Sequence, residues 1–322
     1  MSEIVAVPSP SAAIPGADGD ALSALDLSTS AVTALIEEAE LTPKPALVDR
    51  RGNGAHHDLD LERLRLSAGA LRDGFAAIAR AASGAEPSLR LREQLGRIGR
   101  EMERRMLAAT DGSNAHRGAI WALGLLVAAA AQRRSESHPA SIAATAAALA
   151  RLPDRFAPRP LSNGERARLR FGATGARGEA QAGFPHAILV GLPTLRAARG
   201  RGVLEDCARL DALMAIMASL DDTCLLHRGG RAALQAAKAG AWAVLAEGGT
   251  ASPAGLQRLH RLHDELMRLW ASPGGSADLL SVTLFLDLLE VCQVFQPDVA
   301  ESQAGKPDLQ QESFHGNPEL RV

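Results

Sequence analysis

Between Ala119 and Ala131 the chain reads AIWALGLLVAAAA, apolar on every side. A helix that is apolar all round is stable only among other helices or inside a bilayer. The run falls short of the ~18 apolar residues that a membrane span requires, so it predicts a buried central helix. The rest of the chain supplies a shell for it. Apolar residues recur three and four apart, alternation of Val, Ile, Thr and aromatic residues is scarce, Tyr is absent and aromatics make up 3%, all of which argue for helices over strands.

The periodicity predicts a first helix near Ser30 carrying Val32, Leu35 and Ile36, and a second from Asp58, read as its cap, through Leu61, Leu64, Leu71, Phe75 and Ile78 to a stop at Gly84. Residues 89–109 intersperse Arg and Glu with Leu95, Ile98, Met102 and Met106, as an amphipathic helix does. Further helices are predicted over 141–152, 163–170, 185–199, 204–220, 230–245, 253–270 and 276–294. The expected architecture is all-α: a single multi-helix bundle domain of about ten helices over residues 26–296. Residues 1–25 and 297–322, rich in Ser, Pro, Gly and polar residues, are expected to be disordered tails. No repeat or long heptad run is present.

Composition narrows the partners. With 35 Lys and Arg against 37 Asp and Glu, the net charge of −2 argues against bulk electrostatic binding to nucleic acid or to a membrane surface. An anionic ligand must then be held by local groups. Lys44, Lys238 and Lys306 are the only lysines, so 35 − 3 = 32 of the basic residues are Arg. Cys207, Cys224 and Cys292 are widely spaced, which excludes a cysteine zinc cluster and fits a reducing cytoplasm. No GxGxxG, Walker, GxSxG or HExxH motif occurs.

Chemistry concentrates in five inter-helix segments. In LTPKPALVDRRGNGAHHD, prolines stiffen the backbone on both sides of Lys44, and Asp49, His56, His57 and Asp58 follow; the density of these groups suggests a phosphate or metal site. TDGSNAHRG places Asn114, His116 and Arg117 before the central helix, whose free N–H groups are a ready site for phosphate oxygens. TGARGEAQAGFPH sets Glu179 among glycines. In LDDTCLLHRGG, the adjacent carboxylates Asp221 and Asp222 precede Arg228, a pair that magnesium with polyphosphate would satisfy. SPGGSADLL supplies Ser272, Gly274, Gly275, Ser276 and Asp278 at the start of the last helix, where Asp278 equally suits the helix dipole. His260, His263 and Asp264 fall within one helical turn but lack further ligand groups, and a structural role is expected.

These five segments, in this order on helical spacers, resemble the triphosphoribosyl-dephospho-coenzyme A synthase family. The resemblance rests on Thr42-Pro43-Lys44-Pro45, Val48-Asp49, His56 to Asp58, Asn114 with His116 to Gly118, Thr174 to Gly183, Asp222-Thr223, Arg228 to Gly230 and Ser272 to Leu280. It implies a pentosyltransferase that joins ATP to 3′-dephospho-coenzyme A, expels adenine and retains the triphosphate. The product would pass to a separate transferase acting on an acyl carrier protein. Asp221-Asp222-Thr223-Cys224 looks like the malonate decarboxylase branch rather than the citrate lyase branch. Ala46, Ala115 and Arg117 depart from the family's usual Gly, Thr and Lys.

On this reading Lys44, Asn114, Arg117, Arg228, Ser272, Gly274, Gly275 and Ser276 bind phosphate. Asp49, Asp58, Asp221, Asp222 and Asp278 hold Mg2+, and Glu179, His57 and His116 supply acid and base, since breaking an N-glycosidic bond develops positive charge on the sugar. A magnesium-dependent nucleotide hydrolase and a non-catalytic nucleotide-binding protein remain as alternatives.

Overall fold

The computed structural model describes residues 22–133, 138–157 and 163–294. They form α1 (Ala24–Glu40), α2 (Leu61–Ala70), α3 (Arg72–Ala82), α4 (Leu89–Ala109), α5 (Arg117–Gln132), α6 (Pro139–Arg151), α7 (Asn163–Phe171), α8 (Gly175–Gln181), a π-helical turn (His186–Gly191), α9 (Leu192–Gly200), α10 (Glu205–Ser219), α11 (Thr223–Ala246), α12 (Pro253–Arg268) and α13 (Gly274–Val294). Among the described residues the one strand-like pairing is a single bridge between Asp49 and Gly52. The all-α expectation therefore holds. None of the described helices is long and apolar enough to cross a membrane.

The apolar run becomes α5, buried from Ala119 to Ala129 on nearly every position. It packs against α1, α3, α4, α6 and α13, and one continuous core joins residues of α1 to residues of α13. Burying this much aliphatic surface, at about 25 cal/mol per Å2, is the main driving force for the fold.

Several boundaries differ from expectation. α1 starts at Ala24, not near Ser30, because Ser23 and Asp26 form a capping box. Residues 24 and 25 thus belong to the domain; residues 1–21 and 297–322 lie outside the described residues. The cap of α2 is Asp60, whose carboxylate accepts the Arg63 N–H at 2.8 Å, rather than Asp58. The single helix expected over 58–84 is divided at Leu71. Residues 174–183 contain the short α8, and the helix expected over 185–199 opens with a π-helical turn. α11 begins at Thr223, with Gly230 as an internal kink at φ +65°, a left-handed conformation that glycine adopts without strain.

Candidate active site

Three helices point their N-terminal ends at two carboxylates. Asp222 is the N-cap of α11 and takes the Cys224 N–H at 2.8 Å and the Leu225 N–H at 3.4 Å. The same carboxylate reaches across to α13, where it accepts from the Gly275 N–H at 3.3 Å, the Ser276 N–H at 2.8 Å and the Ser276 hydroxyl at 2.9 Å. A Cβ on Gly275 would stand 2.9 Å from Asp222 Oδ1, so glycine is what lets the two helix ends meet. Burial pushes the Asp222 pKa up, while the hydrogen bonds from Ser276, Cys224 and Leu225 oppose that rise.

Asp278, in the first turns of α13, does the corresponding service for α5. It accepts the Ala119 N–H, and its Oδ2 sits where a Cβ on Gly118 would lie 1.9 Å away. Burial first, then the Glu38 and Asp222 charges, hold its pKa well above the usual carboxylate range. The same environment raises the Cys224 thiol well above its ordinary value, chiefly by burial and then by Asp222 and Asp278.

The stiff 41–58 loop folds inward over this end. Lys44 is 1% exposed; its ammonium donates to Glu38 Oε1 at 2.6 Å and to the Glu38 carbonyl. Asp49 accepts the Lys44 N–H at 2.8 Å and binds the Arg51 guanidinium at 2.8 Å, which ties the loop to itself. His116, 4% exposed, lies 2.7 Å from Ser67 Oγ through Nδ1, and its Nε2 is buried without a partner. Burial, reinforced by Lys44, lowers its pKa to about 4, so the ring is neutral at physiological pH.

At the outer rim, the exposed Arg228 donates to the Ala55 carbonyl at 3.1 Å and to His56 Nδ1 at 3.3 Å. Burial and then Arg228 lower the His56 pKa to about 4. The His57 ring stacks on Trp270, with centroids 4.3 Å apart. Arg117 is exposed and ion-paired with Glu103, and the Asn114 carboxamide oxygen accepts the Arg117 N–H at 3.2 Å. Ser272 is buried immediately before α13.

A neighbouring cluster holds Glu179. Its carboxylate is buried and accepts both the His186 N–H and the His186 Nδ1–H at 2.9 Å. The hydrogen bond to Glu179, and a further one to the Ser219 backbone, raise the His186 pKa. The pair joins α8 to the π-helical turn and to the C-terminal end of α10. α8 in turn abuts the start of α11, since a Cβ on Gly175 would lie 3.3 Å from the Thr223 methyl.

The structure brings His116, Lys44, Asp222, Asp278, Ser276, Gly274 and Gly275 to one end of the bundle, with Arg228 beside it near Cys224, whereas Arg117 is turned to Glu103 of α4 and His57 to Trp270. It does not gather the five expected metal ligands. Asp49 is committed to Lys44 and Arg51, Asp58 is exposed beside His56 at 3.8 Å, and Asp221 is exposed and paired with Lys238 at 2.6 Å. Both oxygens of Asp222 are filled by N–H and O–H donors. Among the described residues, no group of three His, Cys, Asp or Glu could hold a metal ion. Lys44 points into the protein, not toward solvent. Of the helical histidines set aside as structural, His263 accepts the Ala46 N–H at 3.2 Å. Glu38, Ser67 and His186 were not singled out from the sequence. A buried lysine calls for a nearby carboxylate, and the EEAE run before Lys44 was the available clue to Glu38.

A family model described as ATP:dephospho-CoA triphosphoribosyl transferase matches residues 24–296. The chain belongs to this family. Among curated relatives, a probable 2-(5″-triphosphoribosyl)-3′-dephosphocoenzyme-A synthase of Azotobacter vinelandii is 59% identical over 81% of this chain and 90% of its own. A second, from Pseudomonas fluorescens, is 57% identical over 82% and 91%. A third, from Klebsiella pneumoniae, carries the synthase name without "probable" and is 55% identical over 81% and 93%. No solved structure matches. The family's matched span covers every segment on which the sequence resemblance rests.

Proposed function

We infer that the chain is a triphosphoribosyl-dephospho-coenzyme A synthase. The 2′-hydroxyl oxygen of 3′-dephospho-coenzyme A bonds to C1 of the ATP ribose, the C1–N bond to adenine breaks, and the hydroxyl proton replaces the sugar on adenine. The triphosphate is retained. Besides family membership, the observation that carries this reading is the convergence of the α5, α11 and α13 N-termini. Their dipoles add at that end; Asp222 and Asp278 already take the Cys224, Leu225, Gly275, Ser276 and Ala119 N–H groups, so the positive charge offered to a polyphosphate is that of the exposed Arg228 at the rim.

In this proposal neutral His116 takes the hydroxyl proton through its unpartnered Nε2, with Ser67 fixing the ring. Asp278, whose pKa is raised by burial and by the Glu38 and Asp222 charges, is the acid that supplies the proton leaving with adenine. Proton transfers of this kind contribute about 10²–10⁴-fold each. Glu179 acts through His186 as a positioning residue, because both of its oxygens are occupied. Lys44 keeps Glu38 neutralised beside Asp278. The donor set does not fit a resident metal cage; magnesium would enter as the complex of ATP, since it is commonly held by substrate phosphates with few protein ligands.

The Asp221-Asp222-Thr223-Cys224 sequence supports the malonate decarboxylase branch, with the product passed to a separate transferase that loads an acyl carrier protein. Deleting the gene should abolish growth on malonate and spare growth on citrate. For the reaction itself, ATP is incubated with the protein and Mg2+, with and without dephospho-coenzyme A, and adenine is followed by chromatography. Adenine formation that requires the acceptor supports the synthase. Adenine released without acceptor would make the protein a hydrolase, and no adenine at all would make it a binding protein.

A further inference from the structure

Three guanidiniums cluster near one carboxylate, that of Asp154. Arg100 of α4 donates to Asp154 Oδ2 at 2.7 Å, while Arg92, just over two turns earlier on the same helix, is left at 3.7 Å from that oxygen, beyond hydrogen-bond reach. Arg177 of α8 adds its charge to the surroundings of Arg92. Asp154 is seated in a space that Gly96 leaves open, where a Cβ would fall 2.0 Å from its Oδ2.

Arg92 is 7% exposed, and its Cζ lies over the Trp121 ring at 4.9 Å from the centroid, a cation–π contact. Among the described residues, two buried donors in the cluster have no partner: Arg92 Nε and Trp121 Nε1. An arginine cannot relieve burial by losing its proton, and a buried donor left unpaired costs about 1–3 kcal/mol. Two positive charges therefore stand in excess of Asp154, with unpaired N–H groups among them. An anion with several acceptor oxygens supplies both missing items.

We propose that Arg92, Arg100, Arg177 and the Trp121 N–H form a second anion subsite, which takes a phosphoanhydride chain. Trp121 lies one helical turn from Arg117 on α5, so the subsite continues from the candidate active centre along that helix, and α8 links it to the Glu179–His186 pair. The synthase reading requires two such chains, the triphosphate of ATP and the diphosphate of dephospho-coenzyme A. Assigning the anion to one of these rests on that reading; the anion subsite does not.

The test is calorimetric titration of the full chain with inorganic pyrophosphate, ATP and dephospho-coenzyme A, for wild type, Arg177→Ala and Trp121→Phe. Arg177 is exposed and the phenyl ring retains most of the indole surface, so melting temperatures should stay near wild type; Arg177→Gln replaces Arg177→Ala if they do not. Losing a charge-assisted contact should weaken binding of at least one titrant about tenfold, and losing the indole N–H should weaken the same titrant severalfold. A loss confined to dephospho-coenzyme A places the acceptor's diphosphate there, and one confined to ATP places the triphosphate there. A loss for pyrophosphate alone supports the anion subsite but detaches it from the proposed reaction, as would the same loss in a protein that forms no adenine. Unchanged affinity for all three titrants in both variants overturns the proposal.

Discussion

Asp222 is bound by five donors from two helix ends, and this decides what its substitution should do. Asp222→Ala strands the donors in a buried place and should lower stability by roughly 3 kcal/mol or more. Asp222→Asn turns one acceptor oxygen into a donor facing N–H groups, so the melting temperature should fall together with turnover. A magnesium ligand in a ready-made site would behave differently: Asn there would raise the Mg2+ requirement and leave melting unchanged. Thermal melts and Mg2+ titrations of the same variant separate these outcomes. At Lys44 the same logic holds. Rarity and flanking prolines single out this lysine in the sequence, but not its inward direction, because direction depends on how the loop folds Lys44 back onto Glu38 of α1. Lys44→Met should leave Glu38 buried and unpaired and cost about 3–5 kcal/mol; a variant that melts like wild type but binds ATP more weakly would restore Lys44 to the phosphate.

Helix elements are legible wherever apolar spacing and caps coincide, as in α4 and α12, whose starts are set by Ser88 and Ser252, whereas α6 and α13 begin at Pro139 and Gly274, two residues before the expected 141 and 276. Two elements were hidden for physical reasons. α8 is short and starts at a glycine with φ +62°, so its composition reads as loop. The π-helical turn inserts its extra residue without disturbing the apolar rhythm of Ala187, Leu192 and Leu195. The candidate site was legible as a set of residue types and not as an arrangement, since Asp222 and Asp278 act by joining helices distant in sequence. At that junction, Gly118→Ala would drive its Cβ into Asp278 and expel the carboxyl from the α5 N-terminus. Turnover should fall at least tenfold and the melting temperature should fall with it, because stranding the buried carboxyl and the Ala119 N–H costs more than the ~1 kcal/mol by which alanine favours a helix; unchanged turnover would remove Asp278 from the reaction. The π-helical turn carries its own titration. The folded His186 pKa is raised above the ordinary histidine value of 6.5, so its stabilisation is complete below pH 6.5 and is lost as pH rises through the folded value. The melting-temperature gap between wild type and His186→Ala should therefore be widest in acid and close toward alkaline pH.

Across the whole molecule, the helices that carry the site are bolted together by a second ionic group. Arg199 of α9 binds Glu205 of α10 at 2.7 Å and Asp287 of α13 at 2.8 Å, and Arg209 of α10 binds Glu205 at 2.6 Å and Glu37 of α1 at 3.2 Å. Glu37 adjoins Glu38, so this group anchors the end of α1 that receives Lys44. The Arg199 hydrogen bond is the main cause that brings the Glu205 pKa down to about 2 from the ordinary glutamate value of 4.5, against the opposing effect of burial. A depressed carboxylate contributes its stability fully above the unfolded value and loses it as pH falls through the folded one, which sets the window between pH 4.5 and about 2. The groups are partly exposed, so solvent screens much of the gain, and the shape of the pH dependence is the more secure readout. Glu205→Gln should melt below wild type from neutral pH down to pH 4.5, and the gap should shrink steadily toward pH 2, where wild type has itself lost the charge. A gap that stays constant across that window would mean the four helices are held by their shared apolar core alone, with the ionic group adding nothing to it.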